Sequence, residues 1–356
     1  MTAVTPAQRR VAFWLLSCCA LVFGMVVLGG VTRLTGSGLS ITDWKPIMGV
    51  LPPLDAGEWQ ETFARYQESP EFQRINSHMT VADFKGIFWL EYLHRLLGRT
   101  IGLVFLAPFL WFLARGVIDR REVPKYLLMF ALGGLQGVLG WYMVKSGLVD
   151  NPRVSQYRLT AHLLAALVIY AYMFWVALGL WFAPSGNRPH NLYKWTLALT
   201  GLATLTIASG GFVAGLDAGL VFNTFPLMNG QWIPDQILGL DPLWRNFFDN
   251  LATVQFNHRL LALMTFLAVI IYWAIAMKRQ LPRRLALGCH LLLACTILQV
   301  ALGIATLLLR VPVHLAASHQ AVAVLVFTAA LYLCHGLRAG IYASSLPLDG
   351  GGLGRG

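Results

Sequence analysis

Glu91-Tyr92-Leu93-His94-Arg95-Leu96-Leu97 opens one long apolar run, and Gln255-Phe256-Asn257-His258-Arg259-Leu260-Leu261 opens another. Each motif sets a histidine and an arginine inside a stretch that is otherwise almost all hydrocarbon. The two runs continue to residues 114 and 277, which is far enough to cross a bilayer, since a helical crossing takes about 20 apolar residues. Working outward, spans are expected at about 11–30, 86–114, 126–144, 159–183, 195–216, 251–277, 285–309 and 313–335. Composition agrees: of 356 residues, 57% are hydrophobic and 12% charged, against roughly 25% charged in a soluble domain. The expected fold class is an all-α integral membrane protein with eight transmembrane helices.

The first run is too long and lacks the small-residue cleavage site of a signal peptide, and the leader before it is not a transit peptide. A bacterial cytoplasmic membrane is the expected home, with the lipid bilayer as an obligatory partner. Eight spans put both termini on one side, together with connectors 115–125, 184–194 and 278–284, and Lys and Arg dominate there. The opposite side has slightly more Asp and Glu than Lys and Arg. By the positive-inside rule the termini are cytoplasmic. The net charge of +11 is thus a topology signal, and no nucleic-acid partner is expected. The five cysteines, Cys18, Cys19, Cys289, Cys295 and Cys334, all fall in apolar runs, which excludes a secreted disulfide framework. In the first outer loop, Trp59, Phe63 and Tyr66 recur at helical spacing. They suit either an amphipathic helix on the membrane surface or an ordinary capped loop helix.

The chain also matches itself. Gly29-Gly30 returns as Gly210-Gly211, Gly38-Leu39 as Gly219-Leu220, and Pro46 and Met48 as Pro226 and Met228. Leu135-Gln136 with Gly140 returns as Leu298-Gln299 with Gly303, and Ala161-His162 as Ser318-His319. Repeats of four spans, an even number, insert in the same orientation and should be related by an axis along the membrane normal. Two side-by-side four-helix bundles are expected, residues 1–185 and 186–340, with a Gly-rich disordered tail over 341–356.

Ionisable residues inside spans mark functional sites by default. His94, His162, His258 and His319 fall at similar depth toward the outer face, two per repeat and on different helices. Two opposed imidazoles in an apolar bundle suit haem, whose iron takes two axial ligands. Arg95 and Arg259, next to the first histidine of each pair, could meet the propionates, and Gly98 and Gly102 leave room for the ring. A zinc site would need further ligands nearby. The other five histidines, His78, His190, His290, His314 and His335, do not share the pattern and read as structural. Gln136 and Gln299 read as interhelical hydrogen bonders.

The halves differ at one position. Glu91 stands three residues before His94, whereas Gln255 stands three before His258. At that spacing Glu91 shares a face with His94, and a carboxylate there can accept or donate a proton or pair with Arg95. One half would do chemistry while the other carries electrons.

In these residues the chain resembles the haem A synthase family over roughly residues 10–340. The resemblance rests on Glu91 through Arg95, His162, Asn257-His258-Arg259, His319, the Gly-Gly ends of spans 1 and 5, and the fourfold repeat. It implies oxidation of the C8 methyl of haem O to the formyl of haem A through hydroxylated intermediates. It implies that His94 and His162 ligate the iron of the substrate haem, and that His258 and His319 ligate a haem b cofactor. Glu91 matches the family's essential glutamate, as proton acceptor or as stabiliser of a cationic intermediate. Some members carry a cysteine pair in the first outer loop; residues 31–85 have none, as in the proteobacterial and mitochondrial branch. The partners implied are haem O, handed over by haem O synthase, and an electron acceptor that the sequence leaves open, as it does a homo-oligomer. Two competing readings stand beside it: a di-haem b electron carrier, which needs no carboxylate in only one half, and a metal or solute transporter, which predicts broken helices at the midplane. A haem farnesyltransferase would need clustered aspartates for magnesium, and Asp217, Asp235, Asp241 and Asp249 are scattered.

Overall fold

The computed structural model describes residues 4–42, 51–148, 152, 154–182 and 189–338. Pro46 and Met48 of the repeat, and the tail over 341–356, lie outside them. Ten α-helices occur among the described residues: α1 (Pro6–Leu34), α2 (Ala56–Gln67), α3 (Val81–Ala114), α4 (Val123–Gly147), α5 (Gln156–Trp181), α6 (Tyr193–Gly215), α7 (Asn246–Asp249), α8 (Leu251–Met277), α9 (Arg283–Leu308) and α10 (Val313–Arg338). All but α2 and α7 are long and apolar enough to cross a membrane. The shortest of these eight, α6 with 23 residues, rises about 35 Å, more than the ~30 Å hydrocarbon core. The eight helices coincide with the eight expected spans. Each is continuous, α3 running on through Pro108.

Local sequence sets the helix starts. Thr5 and Gln8 form a capping box ahead of α1, with Pro6 at its first position. Thr80 and Asp83 do the same for α3, and the Asn250 side chain caps α8. Each capping oxygen takes up backbone N–H groups that have no partner inside the helix.

Helix α1 packs on α3, α5 and α10, and α6 packs on α8, α10 and α5; α4 lies on α5, and α9 on α10 and α8. Near the start of α1 the interior is filled by large side chains, among them Trp14, Phe105, Phe109, Phe112, Tyr126 and Met173. A second core joins Leu199, Val269, Tyr272, Leu285, Leu292 and Leu333. At the other end, Phe84, Phe88 and Tyr92 pack at the start of α3, and Phe222 and Met228 beside the start of α8. The outward faces carry exposed Leu, Val and Phe side chains, as a lipid-facing surface does.

The amphipathic stretch of the first outer loop is α2. Its N-cap is Asp55 and its buried side chains are Trp59, Phe63 and Tyr66. They pack on α3: Tyr66 stacks on Phe84 at 5.0 Å, and Trp59 meets Phe88 edge-on at 4.9 Å. The aromatic face thus covers the start of α3 instead of lying on lipid, and of the two readings the capped loop helix holds.

Candidate functional site

His94 is on α3, His162 on α5, His258 on α8 and His319 on α10. Each imidazole edge rests on a glycine of a neighbouring helix. A Cβ on Gly29 would sit 3.0 Å from His94 Cε1, and on Gly140 3.1 Å from His162 Cε1. In the other half, a Cβ on Gly210 would be 3.1 Å from His258 Cε1 and on Gly303 2.8 Å from His319 Cε1. Contacts that close need glycine, because a methyl group would push the ring off its position. Gly98 and Gly102, by contrast, seat no imidazole: a Cβ on Gly98 would lie 3.4 Å from the Met25 methyl, and one on Gly102 would meet open space.

The rings of His258 and His319 lie 6.4 Å apart, centroid to centroid, at 86° to one another. Two metal–nitrogen bonds of about 2 Å plus the depth of two rings bring imidazole centroids to ~6 Å, so the gap fits one iron. Ser209 Oγ donates to Thr206 O at 2.7 Å and stands 2.8 Å from His258 Nδ1. His319 Nδ1 stands 3.1 Å from the Gln299 carbonyl, and the Gln299 amide is 3.4 Å from His319 Nε2. In the other half, Nδ1 of His94 and Nδ1 of His162 are buried with no hydrogen-bond partner. Gln136 donates instead to the His162 backbone carbonyl at 2.9 Å. Gln136 is thus the expected interhelical hydrogen bonder, whereas Gln299 reaches a candidate ligand.

Glu91 is 2% exposed. Its Oε2 accepts from Ser40 Oγ at 2.7 Å and from the Ile41 N–H at 2.8 Å, and its Oε1 accepts from Arg95 Nη2 at 2.5 Å. Arg95 Nη2 also donates to the Ile41 carbonyl at 2.9 Å. The i,i+4 pairing with Arg95 is therefore made, and the arginine is turned toward the carboxylate and the loop. Gln255, also 2% exposed, meets the opposite chemistry: its amide donates to Ala218 O at 3.0 Å and Phe222 O at 3.2 Å. The loop after α1 offers donors to a carboxylate, while the loop after α6 offers acceptors to an amide. Arg259 donates to Thr224 O at 3.0 Å and Phe222 O at 2.8 Å, and its buried Nε has no partner.

Ser40, Ile41 and Ser209 were not singled out by the sequence. Ser40 and Ile41 follow the Gly38-Leu39 repeat, which is the one signal that could have drawn attention to them. The remaining histidines lie elsewhere: His335 is buried edge-on to Trp175 at 5.0 Å, His290 accepts from Trp273 Nε1 at 3.0 Å, and His190 Nδ1 receives the Leu192 N–H at 3.1 Å. Among the described residues no group of three or more His, Cys, Asp and Glu side chains could hold a metal by itself. The five cysteines are free thiols.

The family model described as cytochrome oxidase assembly protein (COX15-CtaA) matches residues 12–331. The chain belongs to the haem A synthase family. It is 54% identical to the "Heme A synthase" of Nitrosomonas eutropha over 339 residues, covering 94% of this chain and 95% of that one. It is 53% identical to the "Heme A synthase" of Nitrosospira multiformis, covering 93% and 94%. It is 45% identical to the mouse "Heme A synthase COX15", covering 93% of this chain and 83% of the mouse protein. Similarity to both bacterial and animal haem A synthases agrees with the branch expected from the cysteine-free first loop.

Proposed function

We propose that the chain oxidises the C8 methyl group of haem O to the formyl group of haem A through hydroxylated intermediates. His94 and His162 hold the substrate haem in the half formed by residues 1–185. His258 and His319 hold haem b in the half formed by residues 186–340. The recurring helix neighbours support two four-helix repeats: α1 with α3 and α5 in the first half, α6 with α8 and α10 in the second. An axis along the membrane normal relates them, with both termini cytoplasmic and both sites toward the outer face of a bacterial cytoplasmic membrane.

The residues fit a haem in each half. Glycines let all four imidazole edges seat closely on a neighbouring helix, and the 6.4 Å ring separation in the second half admits one iron. When bound, haem b supplies one-electron transfer. Everything else falls to the side chains. His94 and His162 orient the substrate. Glu91, one turn from His94, serves the reacting methyl group by accepting a proton at a carboxylate oxygen or by opposing positive charge as it develops. Ser40 and Ile41 hold one oxygen of that carboxylate in place. Arg95, which holds the other oxygen, would also be the cation for a substrate propionate, and Arg259, whose buried Nε has no partner, would be the cation for a propionate of haem b.

The single observation that carries this reading is the pair Glu91 and Gln255. The two sit at matching depth and equal burial, but only one is built as a carboxylate site. A pure electron carrier has no use for that difference, and continuous helices do not suit the transporter reading. Haem O, delivered by a haem O synthase, is the expected substrate, and the electron acceptor is left unassigned. The test is mass-resolved chromatography of haems extracted from the protein purified from cells that supply haem O. Haem A or hydroxylated haem O beside haem b is expected. Haem b alone, with haem O present in the cells, would overturn the reading in favour of an electron carrier.

A further inference from the structure

The two histidine pairs differ at Nδ1. In the C-terminal pair both Nδ1 atoms meet oxygen, Ser209 Oγ at 2.8 Å and the Gln299 carbonyl at 3.1 Å. A carbonyl can only accept, so His319 Nδ1 carries the proton. The Ser209 hydroxyl gives its own hydrogen to Thr206 O at 2.7 Å, which leaves its lone pairs to accept from His258 Nδ1–H. Both Nδ1 atoms therefore carry the proton, which leaves Nε2 as the nitrogen for a metal; at His319 the Gln299 amide, 3.4 Å from Nε2, would have to give way to it. In the N-terminal pair both Nδ1 atoms are buried without a partner. The cause is visible in the repeat: Ser209 precedes Gly210, on which His258 rests, and the residue in the same register before Gly29, on which His94 rests, is Leu28.

We propose that Ser209 is a positioning residue for His258. It makes the C-terminal pair a site that retains its haem, while Leu28 at the matching place leaves the N-terminal pair able to release one. The inference rests on the division of substrate and cofactor given above and extends it to how each half keeps or loses its haem. The physical reason is general. An imidazole that donates its outer N–H to an oxygen is held in one orientation and is the more basic ligand, and loss of such a partner typically costs about 10- to 100-fold in affinity. A more basic ligand also favours ferric iron and lowers the reduction potential. A substrate site has the opposite need, because each turnover must end with product leaving.

The experiment uses the full chain in detergent. The readouts are the reduction potential of the low-spin haem and the rate of haem loss to added apomyoglobin. Ser209→Ala should raise the potential and speed haem loss by about 10- to 100-fold, and Ser209→Thr, which keeps the hydroxyl, should restore both. An unchanged potential and loss rate in Ser209→Ala would overturn the proposal. Should that variant not accumulate, Leu28→Ser tests it from the other side. A hydroxyl offered to His94 Nδ1 should make haem O or haem A co-purify in higher yield and leave the N-terminal half at least tenfold more slowly, and unchanged retention would refute it. His258→Ala separates the two levels of inference. A low-spin signal that survives this variant removes the haem b assignment itself, whereas a signal lost here but indifferent to Ser209 removes only the role of the serine.

Discussion

Replacing Glu91 by Gln changes one oxygen for an amide nitrogen and leaves shape and volume almost untouched. The surroundings decide how the amide sits. The Ile41 N–H, 2.8 Å from Oε2, can only donate, so the remaining oxygen must stay there, where it also keeps Ser40 Oγ. The new NH2 then faces Arg95 Nη2, which donates to Oε1 in the native protein. Two donors meet in a site that is 2% exposed. The loss is one charge-assisted hydrogen bond, worth about 1.5–3 kcal/mol, and Arg95 keeps the Ile41 carbonyl at 2.9 Å as a fallback. The fold should survive that. Chemistry should not, on the role proposed for Glu91, because a neutral amide can neither take a proton nor oppose positive charge, and a positioned acid or base contributes about 10²- to 10⁴-fold in rate. The assay measures haem A and hydroxylated haem O per haem b in membranes from cells supplying haem O, with low-spin absorbance as the measure of intact protein. A fall of that order with haem b retained is expected. Turnover at the wild-type rate would refute the role of Glu91.

The mirror-image change, Gln255→Glu, turns a carboxylate toward the carbonyls of Ala218 and Phe222, at about 1–3 kcal/mol for each buried group left unsatisfied; haem b content should drop, and wild-type accumulation would contradict the donor-and-acceptor argument. Gly303→Ala puts a methyl group 2.8 Å from His319 Cε1, an overpacking of about 1–3 kcal/mol that should shift the low-spin spectrum; an unaltered spectrum would show that the glycine does not seat the ring. Burial lifts the Glu71 carboxyl, in the loop between α2 and α3, to about 7, partly offset by the Tyr66 hydroxyl and reinforced by the charge of Glu91. The folded chain therefore holds a proton that the unfolded chain releases near pH 4.5, so stability falls as pH rises from there to about 7 and then levels off. Glu71→Gln should abolish that slope and make the α2 region more resistant to proteolysis at pH 8 by up to roughly 3 kcal/mol, with no gain at pH 4; equal resistance at both pH values would remove the effect. Finally, blocking thiols with a polar maleimide should leave haem A formation unchanged, since the five cysteines are free and none lies in the first outer loop; inhibition would demand a thiol step.

Several features could be read without coordinates because the membrane enforces them locally. Each span must bury its own backbone hydrogen bonds in about 20 apolar residues, so α1, α3 and the other long helices show as runs. The four histidines stand out because a polar ring in such a run is costly and because His94 and His258 both open a His-Arg-Leu-Leu motif. The amphipathic period of α2 was equally visible, but an aromatic face looks the same whether it meets lipid or protein. Only its packing on Phe84 and Phe88 settled the question.

By itself, then, the sequence determined the eight long apolar helices, the placing of four histidines within them and the Glu91–Gln255 difference, each expressed within one helix. Tertiary structure alone decided what surrounds them. Ser40 and Ile41 approach Glu91 from another segment, about 50 residues away in the chain, and no periodicity records such an approach. The glycine beneath each imidazole belongs to a different helix from the histidine, so its meaning depends on which helices touch. Arg95 donates at once to the Glu91 carboxylate and to the Ile41 carbonyl, and the second of these depends on how the loop after α1 lies against α3. Hydrophobic burial writes its pattern along the chain, residue by residue. Hydrogen-bond partnership at a buried site is set by geometry between elements, and it appears only when they are packed together.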